Sequence, residues 1–175
     1  MAILIMCVLA IGLRFVPHMP NVVPMAAMAL YAGSCMDKRF AAWVPLALYI
    51  VTDLIVGMHD AVLFTWGSIM LISLVGMRLP KFSMGTALGG TIAGTLAFFA
   101  ITNFGVWMVG IDHTAATPMY PHTAAGLVAC YVSALPFLVN SLLGNTVFIG
   151  ALMAVRSLVA AQVKEERTRF AFLLG

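Results

Sequence analysis

The sequence predicts an all-α membrane protein, a bundle of six transmembrane helices with the N-terminus and C-terminus cytoplasmic. Three observations carry that expectation: the apolar content of the chain, the spacing of its proline, glycine and charged breaks, and the one-sided distribution of its basic residues. Of 175 residues, 63% are hydrophobic and 9% charged, and mean hydropathy is +1.07. An ordinary soluble domain carries about 25% charged residues, so a water-soluble globule is excluded. A disordered chain is excluded too, because disorder needs few apolar residues and high charge. A spanning helix takes about 20 apolar residues, so the spans use nearly the whole chain. Residues 1–175 therefore read as a single integral membrane domain with no room for a soluble ATPase or catalytic domain. Energy for any transport must come from a gradient or a partner.

Breaks divide the chain into apolar segments at residues 2–16, 21–35, 40–56, 61–77, 84–109 and 124–160. The run at 2–13 has the length of a signal-peptide core. It lacks a basic leading region and a small-residue cleavage site, so it is read as a retained first helix. The first four segments are short, roughly 15 to 17 residues, and either extend into their loops or thin the bilayer around them. The fifth is long enough for a full crossing. The sixth is too long for one straight span, and Pro136 removes a backbone donor near its middle. A short surface helix over 123–135 and a sixth span over 137–158 are expected there. A seventh span would put the chain ends on opposite sides.

Charge selects six. With the N-terminus cytoplasmic, the inner loops and tail hold Lys38, Arg39, Arg78, Lys81, Arg156, Lys164, Arg167 and Arg169, eight of the nine Lys and Arg residues. The outer connections hold none, and Arg14 alone lies near the outer end of the first helix. That asymmetry sets orientation through the positive-inside rule and implies the inner (plasma) membrane as the location. The net charge of +3 is explained by those loops, and nucleic-acid binding is not expected.

The same layout gathers His18, His59, His113 and His122 in outer connections, with Asp60, Asp112 and Tyr120. The longest connection, 110–122, lies there, and long ordered loops in compact domains tend to bind or cover ligands. Below that rim, Arg14, Asn21, Asp53, Asn103 and Asn140 sit within apolar segments, with Asn145 deeper. An ionised group at mid-membrane costs about 2.5–3.5 kcal/mol on insertion scales, so such residues should face the bundle interior. Arg14 and Asp53 are a candidate pair. Structural cross-linking between helices, worth about 0.6 kcal/mol per bond on average, is the competing reading of each.

Trp107, one helical turn beyond Asn103, and Tyr120 are candidates to stack on a flat ligand, as are Trp66 and Tyr49, although aromatic residues also anchor helices at the membrane interface. The histidines invite a metal reading. None has a ligand spacing on a helix, and Cys7, Cys35 and Cys130 form no CxxC, so neither a metal nor a cofactor is expected. No HExxH, GxSxG or P-loop occurs, and an enzyme is not expected. Gly85-x-x-x-Gly89, Gly90-x-x-x-Gly94 and Ala29-x-x-x-Gly33 mark close helix contacts, within the bundle or with a partner.

The stretches Arg14-Phe-Val-Pro-His-Met-Pro-Asn-Val-Val-Pro24, Thr52-Asp53 with Gly57-Met-His59, Ile101-Thr-Asn-Phe-Gly-Val-Trp107, Tyr120-Pro121 with Gly126-Leu127, and Leu135-Pro-Phe-Leu-Val-Asn140 carry a further likeness. Over nearly its full length the chain resembles a family of small bacterial membrane proteins of unassigned function, grouped with the substrate-binding S components of energy-coupling-factor (ECF) transporters. The resemblance implies six helices with both ends inside and a pocket for a vitamin or a metal built from outer loops and outer helix halves. It also implies a membrane coupling subunit and two cytoplasmic ATPases as partners, though some members work alone. Nickel and cobalt members begin with a Met-His pair, whereas this chain begins Met1-Ala2-Ile3, so the metal site does not carry over. The paired small residues usual on the first helix are matched only by Ala2, Ala10 and Gly12.

The functional expectation is a capture protein for a small, water-soluble, vitamin-like nutrient at the outer face of the lipid bilayer. Arg14 would hold a ligand anion or Asp53, Asn21, Asn103 and Asn140 would hydrogen-bond the ligand, Trp107 and Tyr120 would stack on it, and His59 and His122 would form the rim.

Overall fold

In the computed structural model, which describes Gly12, residues 24–79 and residues 82–174, the chain is mostly helical. The described residues form, in order, α1 (Met25–Cys35), α2 (Trp43–Val56), α3 (Val62–Met77), α4 (Met84–Val109), a two-stranded hairpin of β1 (Ile111–Asp112) and β2 (Thr117–Pro118), and α5 (Ala124–Leu174). Apart from Gly12, the expected first span at 2–16, with Arg14, lies outside the described residues, as do His18 and Asn21.

Helix α1 is the centre of the bundle. Every residue from Met25 to Gly33 is buried, and the helix packs against α2, α3, α4 and α5. A helix apolar on all sides requires such surroundings. Its small side chains make the approach close. A Cβ on Gly33 would lie 2.1 Å from the Ser73 carbonyl oxygen and 3.1 Å from the Gly76 Cα, so α1 and α3 cross backbone to backbone. Ser34 ties the same crossing, its hydroxyl lying 2.8 Å from the Leu30 carbonyl oxygen and 3.1 Å from that of Gly76.

Helix α3 buries Thr65, Ser68, Ile69, Ile72, Ser73 and Gly76, a stripe at helical spacing that faces this crossing. Helix α4 turns Gly90 toward Leu30 and Gly94 toward Ile72, whereas none of the described residues comes within 4 Å of a Cβ at Gly85 or Gly89. Of the two small-residue pairs expected on this helix, one is thus a packing face and the other is open. Ser83 starts α4 with a capping box: its side chain accepts the Thr86 N–H, and its own N–H donates to Thr86 Oγ1 at 2.8 Å. Gly57 ends α2 at φ +122°, a conformation that disfavours any residue with a Cβ.

The apolar core has two lobes. Met25, Met28, Leu30, Tyr49, Ile69 and Ile72 form one, and Ala27, Tyr31, Ala87, Ile149, Leu152 and Met153 the other, with α1 shared between them. Outward faces stay apolar: Leu63, Val128, Val139, Leu143 and Val147 are all more than half exposed. Among the described residues, two helices are long and apolar enough to cross a membrane, at Met84–Val109 and Ala124–Glu166.

The expected division of the last segment is corrected. A single α-helix runs from Ala124 to Leu174 with Pro136 inside it, so 123–135 is not a separate surface helix and the helix continues past 158. Pro136 is exposed, and its nitrogen cannot donate the hydrogen bond of an ordinary helical residue.

Candidate functional site

The two ends of the bundle differ in chemistry. At one end Arg156 reaches back from α5, donating to Cys35 Sγ at 3.4 Å and lying 5.6 Å from the Phe82 ring centre. This gathers the end of α1, the start of α4 and α5 where Lys38, Arg39 and Arg78 also lie, in the chain that follows α1 and α3. At the opposite end Asp60, between α2 and α3, accepts the Ile111 N–H at 2.9 Å and faces His113 Nε2 at 3.3 Å. Asp60 thereby pins the hairpin after α4 to the α2–α3 connection. His59 and His122 are at this end too.

A cavity of about 360 Å³ lies toward the histidine end, between the first residues of α1, Tyr49 in the middle of α2, His59, the start of α3 and facing parts of α4 and α5. Its size lies within the ~300–1,000 Å³ of small-molecule sites. Its walls are mixed. Phe98, Phe99, Phe137 and Leu138 supply apolar surface, and Thr65, Thr95, Thr102, Asn103 and Asn145 supply polar groups.

Most of those polar groups already bond within their own helix. Thr95 Oγ1 donates to the Thr91 carbonyl and Thr102 Oγ1 to the Phe98 carbonyl, both at 2.8 Å, and Asn103 Nδ2 donates to the Phe99 carbonyl at 2.8 Å. Such bonds one turn back let hydroxyls and carboxamides sit in an apolar helix. Asn145 is committed on both sides: Oδ1 accepts the Ala27 N–H and Nδ2 donates to the Ser141 carbonyl, each at 2.8 Å.

Of the residues the sequence nominates, Asn103, His59 and Tyr49 line this cavity. Asp53 is fully buried beside it and accepts the Trp66 indole N–H at 2.8 Å. Trp66 thereby holds the acid and is not among the lining residues, and the proposed Arg14 partner lies outside the described residues. Trp107 anchors the long connection: its indole N–H donates to the Pro121 carbonyl at 3.0 Å, and its ring meets His122 edge to face at 5.6 Å. A Cβ on Gly126 would fall 2.0 Å from that same Pro121 oxygen, so a glycine is required where the connection turns into α5. Trp107, Tyr120, His122 and Asn140 are not among the lining residues.

The residues that sequence reasoning missed are Thr65, Thr95 and Thr102. A signal for the last two existed: Thr91, Thr95 and Thr102 recur at helical spacing along one side of an otherwise apolar helix. Asn145 was noticed as the deepest polar residue but left out of the site. Among the described residues, no group of three His, Cys, Asp or Glu side chains could hold a metal ion.

The fold and the cavity together define a helical bundle of membrane-spanning composition with a small-molecule-sized chamber beneath a looped end. The chain belongs to a family of unknown function, DUF6580, whose profile matches residues 1–167. No curated protein and no solved structure matches it.

Proposed function

We propose that this protein is a multi-pass plasma-membrane protein of the S-component type, with six spans and both ends cytoplasmic, that captures a small, water-soluble, vitamin-like nutrient at the outer face for uptake. The observation that carries the reading is the mixed cavity, which lies at the end of the bundle away from Lys38, Arg39, Arg78 and Arg156. Under the positive-inside rule that end faces outward, and a chamber open to the outside is where a scarce solute is met. Its delivery inward would draw on a coupling subunit with cytoplasmic ATPases. The test is binding of a vitamin panel to the purified full chain, with Asn103→Leu in the cavity wall and Trp107→Ala in the loop anchor as variants. Saturable binding weakened by Asn103→Leu supports the reading; binding indifferent to both substitutions removes this cavity as the site.

A second reading, a ligand-free accessory membrane protein, draws support from the bonds of Asn145 to Ala27 and of Trp66 to Asp53, which fasten helices together. It predicts that no small molecule raises thermal stability while substitutions at Asn145 and Trp66 lower it.

A further inference from the structure

We propose that the basic end of the bundle is a binding surface for acidic phospholipids, whose phosphate groups meet Lys38, Arg39 and Arg78 while their acyl chains lie along the outward face of α2. The proposal rests on the membrane-spanning part of the reading above and not on nutrient capture. Its first support is a charge balance that the whole sequence closes. The chain has six Asp and Glu side chains, and each is placed. Asp53 is buried against Trp66, and Asp60 and Asp112 stand at the histidine end. Glu165 pairs with Arg169 at 2.7 Å and Glu166 follows it, about 14 Å along α5 beyond Arg156. Asp37 alone shares the basic end with Lys38, Arg39, Arg78 and Arg156, all of them exposed. A surplus of positive charge at a membrane surface attracts anionic headgroups.

The second support is how the charges are presented. The Asp37 carbonyl oxygen accepts the N–H groups of Phe40 and Ala41 at 2.9 and 3.0 Å, and its carboxylate accepts that of Arg39 at 2.9 Å. Ala41 and Ala42 are buried, so this turn is fastened to the bundle and holds Lys38, Arg39 and Phe40 outward. The crossing of α1 and α3 brings Arg78 to the same end, two residues past Gly76, whose carbonyl oxygen lies 3.1 Å from the Ser34 hydroxyl.

Apolar surface continues from the charges, and this selects a lipid over a dissolved phosphate. Phe40 and Trp43 are 57% and 61% exposed, and an indole at a helix end is at home at the headgroup level. From Trp43 the exposed residues Ala47, Val51, Leu54 and Ile55 follow at helical spacing along one side of α2. That track is about 18 Å long, comparable with the ~15 Å hydrocarbon depth of one leaflet. An acidic protein surface would meet the charges and leave the track uncovered.

The test places the purified full chain in phosphatidylcholine vesicles that carry a minor share of brominated lipid, either phosphatidylglycerol or phosphatidylcholine. Bromine quenches an indole that it touches, and the difference between the unaltered chain and Trp43→Phe isolates the signal of Trp43. Brominated phosphatidylglycerol should quench Trp43 the more strongly, with a relative binding constant about fivefold or more in its favour. Lys38→Gln, Arg39→Gln and Arg78→Gln should each lower that preference by up to about fivefold, and high salt should lower it in the unaltered chain. All three side chains are exposed, and Arg39→Gln keeps the backbone bond to Asp37. Arg169→Gln is the control and should leave the preference unchanged, because its charge already faces Glu165. Equal quenching by the two brominated lipids, or a preference that the three substitutions leave intact, would overturn the proposal and assign the surplus charge to an acidic protein surface or to dissolved anions. The membrane reading would survive that result, since both lipids still reach Trp43. Quenching by neither lipid would mean that the chain does not insert, and the membrane-spanning reading would fall together with the proposal.

Discussion

Asn145, on α5, caps α1 from outside that helix: its side-chain oxygen accepts the backbone N–H of Ala27 at 2.8 Å across 118 positions of sequence. The first N–H groups of a helix have no partner within it, and Pro24, at the position before α1, makes no side-chain cap. In an apolar bundle water cannot fill that role, so a carboxamide from the neighbouring helix does. Asn145→Ala leaves the Ala27 N–H buried and unpaired, and should lower unfolding stability by about 1–3 kcal/mol. Thermal or denaturant unfolding of the purified protein measures it, and an unchanged midpoint would refute the capping role.

The crossing of α1 and α3 makes a second prediction. Gly33→Ala would put a methyl group 2.1 Å from the Ser73 carbonyl oxygen, and Gly76→Ala one 2.5 Å from the Leu30 carbonyl oxygen. Backbone cannot swing aside as a side chain does, so each should destabilise by about 1–3 kcal/mol. Gly89→Ala is the control. It meets none of the described residues within 4 Å, and the gain in helix preference should make it neutral or stabilising by up to about 1 kcal/mol. Equal losses at Gly33 and Gly89 would mean that the close crossing is not what Gly33 serves.

How much of this was legible beforehand depends on whether the deciding partner was near in sequence. The bounds of α4 were, because the proline and charges before it and Gly110 after it bracket an unbroken apolar run. Asn103 was marked as a wall residue by its own chemistry, a carboxamide one turn before Trp107. The bond from Asn145 to Ala27 was not legible, since a backbone N–H carries no side-chain signature and lies on another helix. Asp53 is expected to pair with Arg14, which lies outside the described residues; its bond to the indole of Trp66, 13 residues on, was not legible, because that side chain reads in sequence as one more aromatic. Pro136 misled because its lost bond looks decisive in a string of letters, whereas a long apolar helix absorbs it on an exposed side.

Trp66 gives the third prediction. Trp66→Phe keeps the ring surface and removes the indole N–H from a fully buried carboxylate. Losing a hydrogen bond at a buried polar group should cost about 1–3 kcal/mol. Asp53→Asn in the Trp66→Phe background should restore part of it, because a neutral amide tolerates burial better than an acid. Unfolding of the two single variants and the double variant separates these terms; strict additivity would argue that the two side chains act independently.

The hairpin after α4 should respond to acid. Asp112 accepts the Thr114 hydroxyl and the N–H groups of Thr114 and Ala115, and these bonds to its ionised form hold its carboxyl below the ordinary aspartate value. A group with a depressed folded-state pKa contributes order that is complete above its unfolded value and lost as pH falls through the folded one. The turn at 112–116 should therefore stay ordered through neutral and mildly acidic pH and loosen only in stronger acid, below the usual carboxylate range. Asp112→Asn, which keeps an oxygen where all three bonds converge but carries no charge, should remove that acid transition and loosen the turn at neutral pH. Amide hydrogen exchange at Ala115, followed against pH in both proteins, reads the difference. Loss of protection in the unaltered protein already above the ordinary aspartate pKa would contradict the assignment of Asp112 as the group that orders the turn.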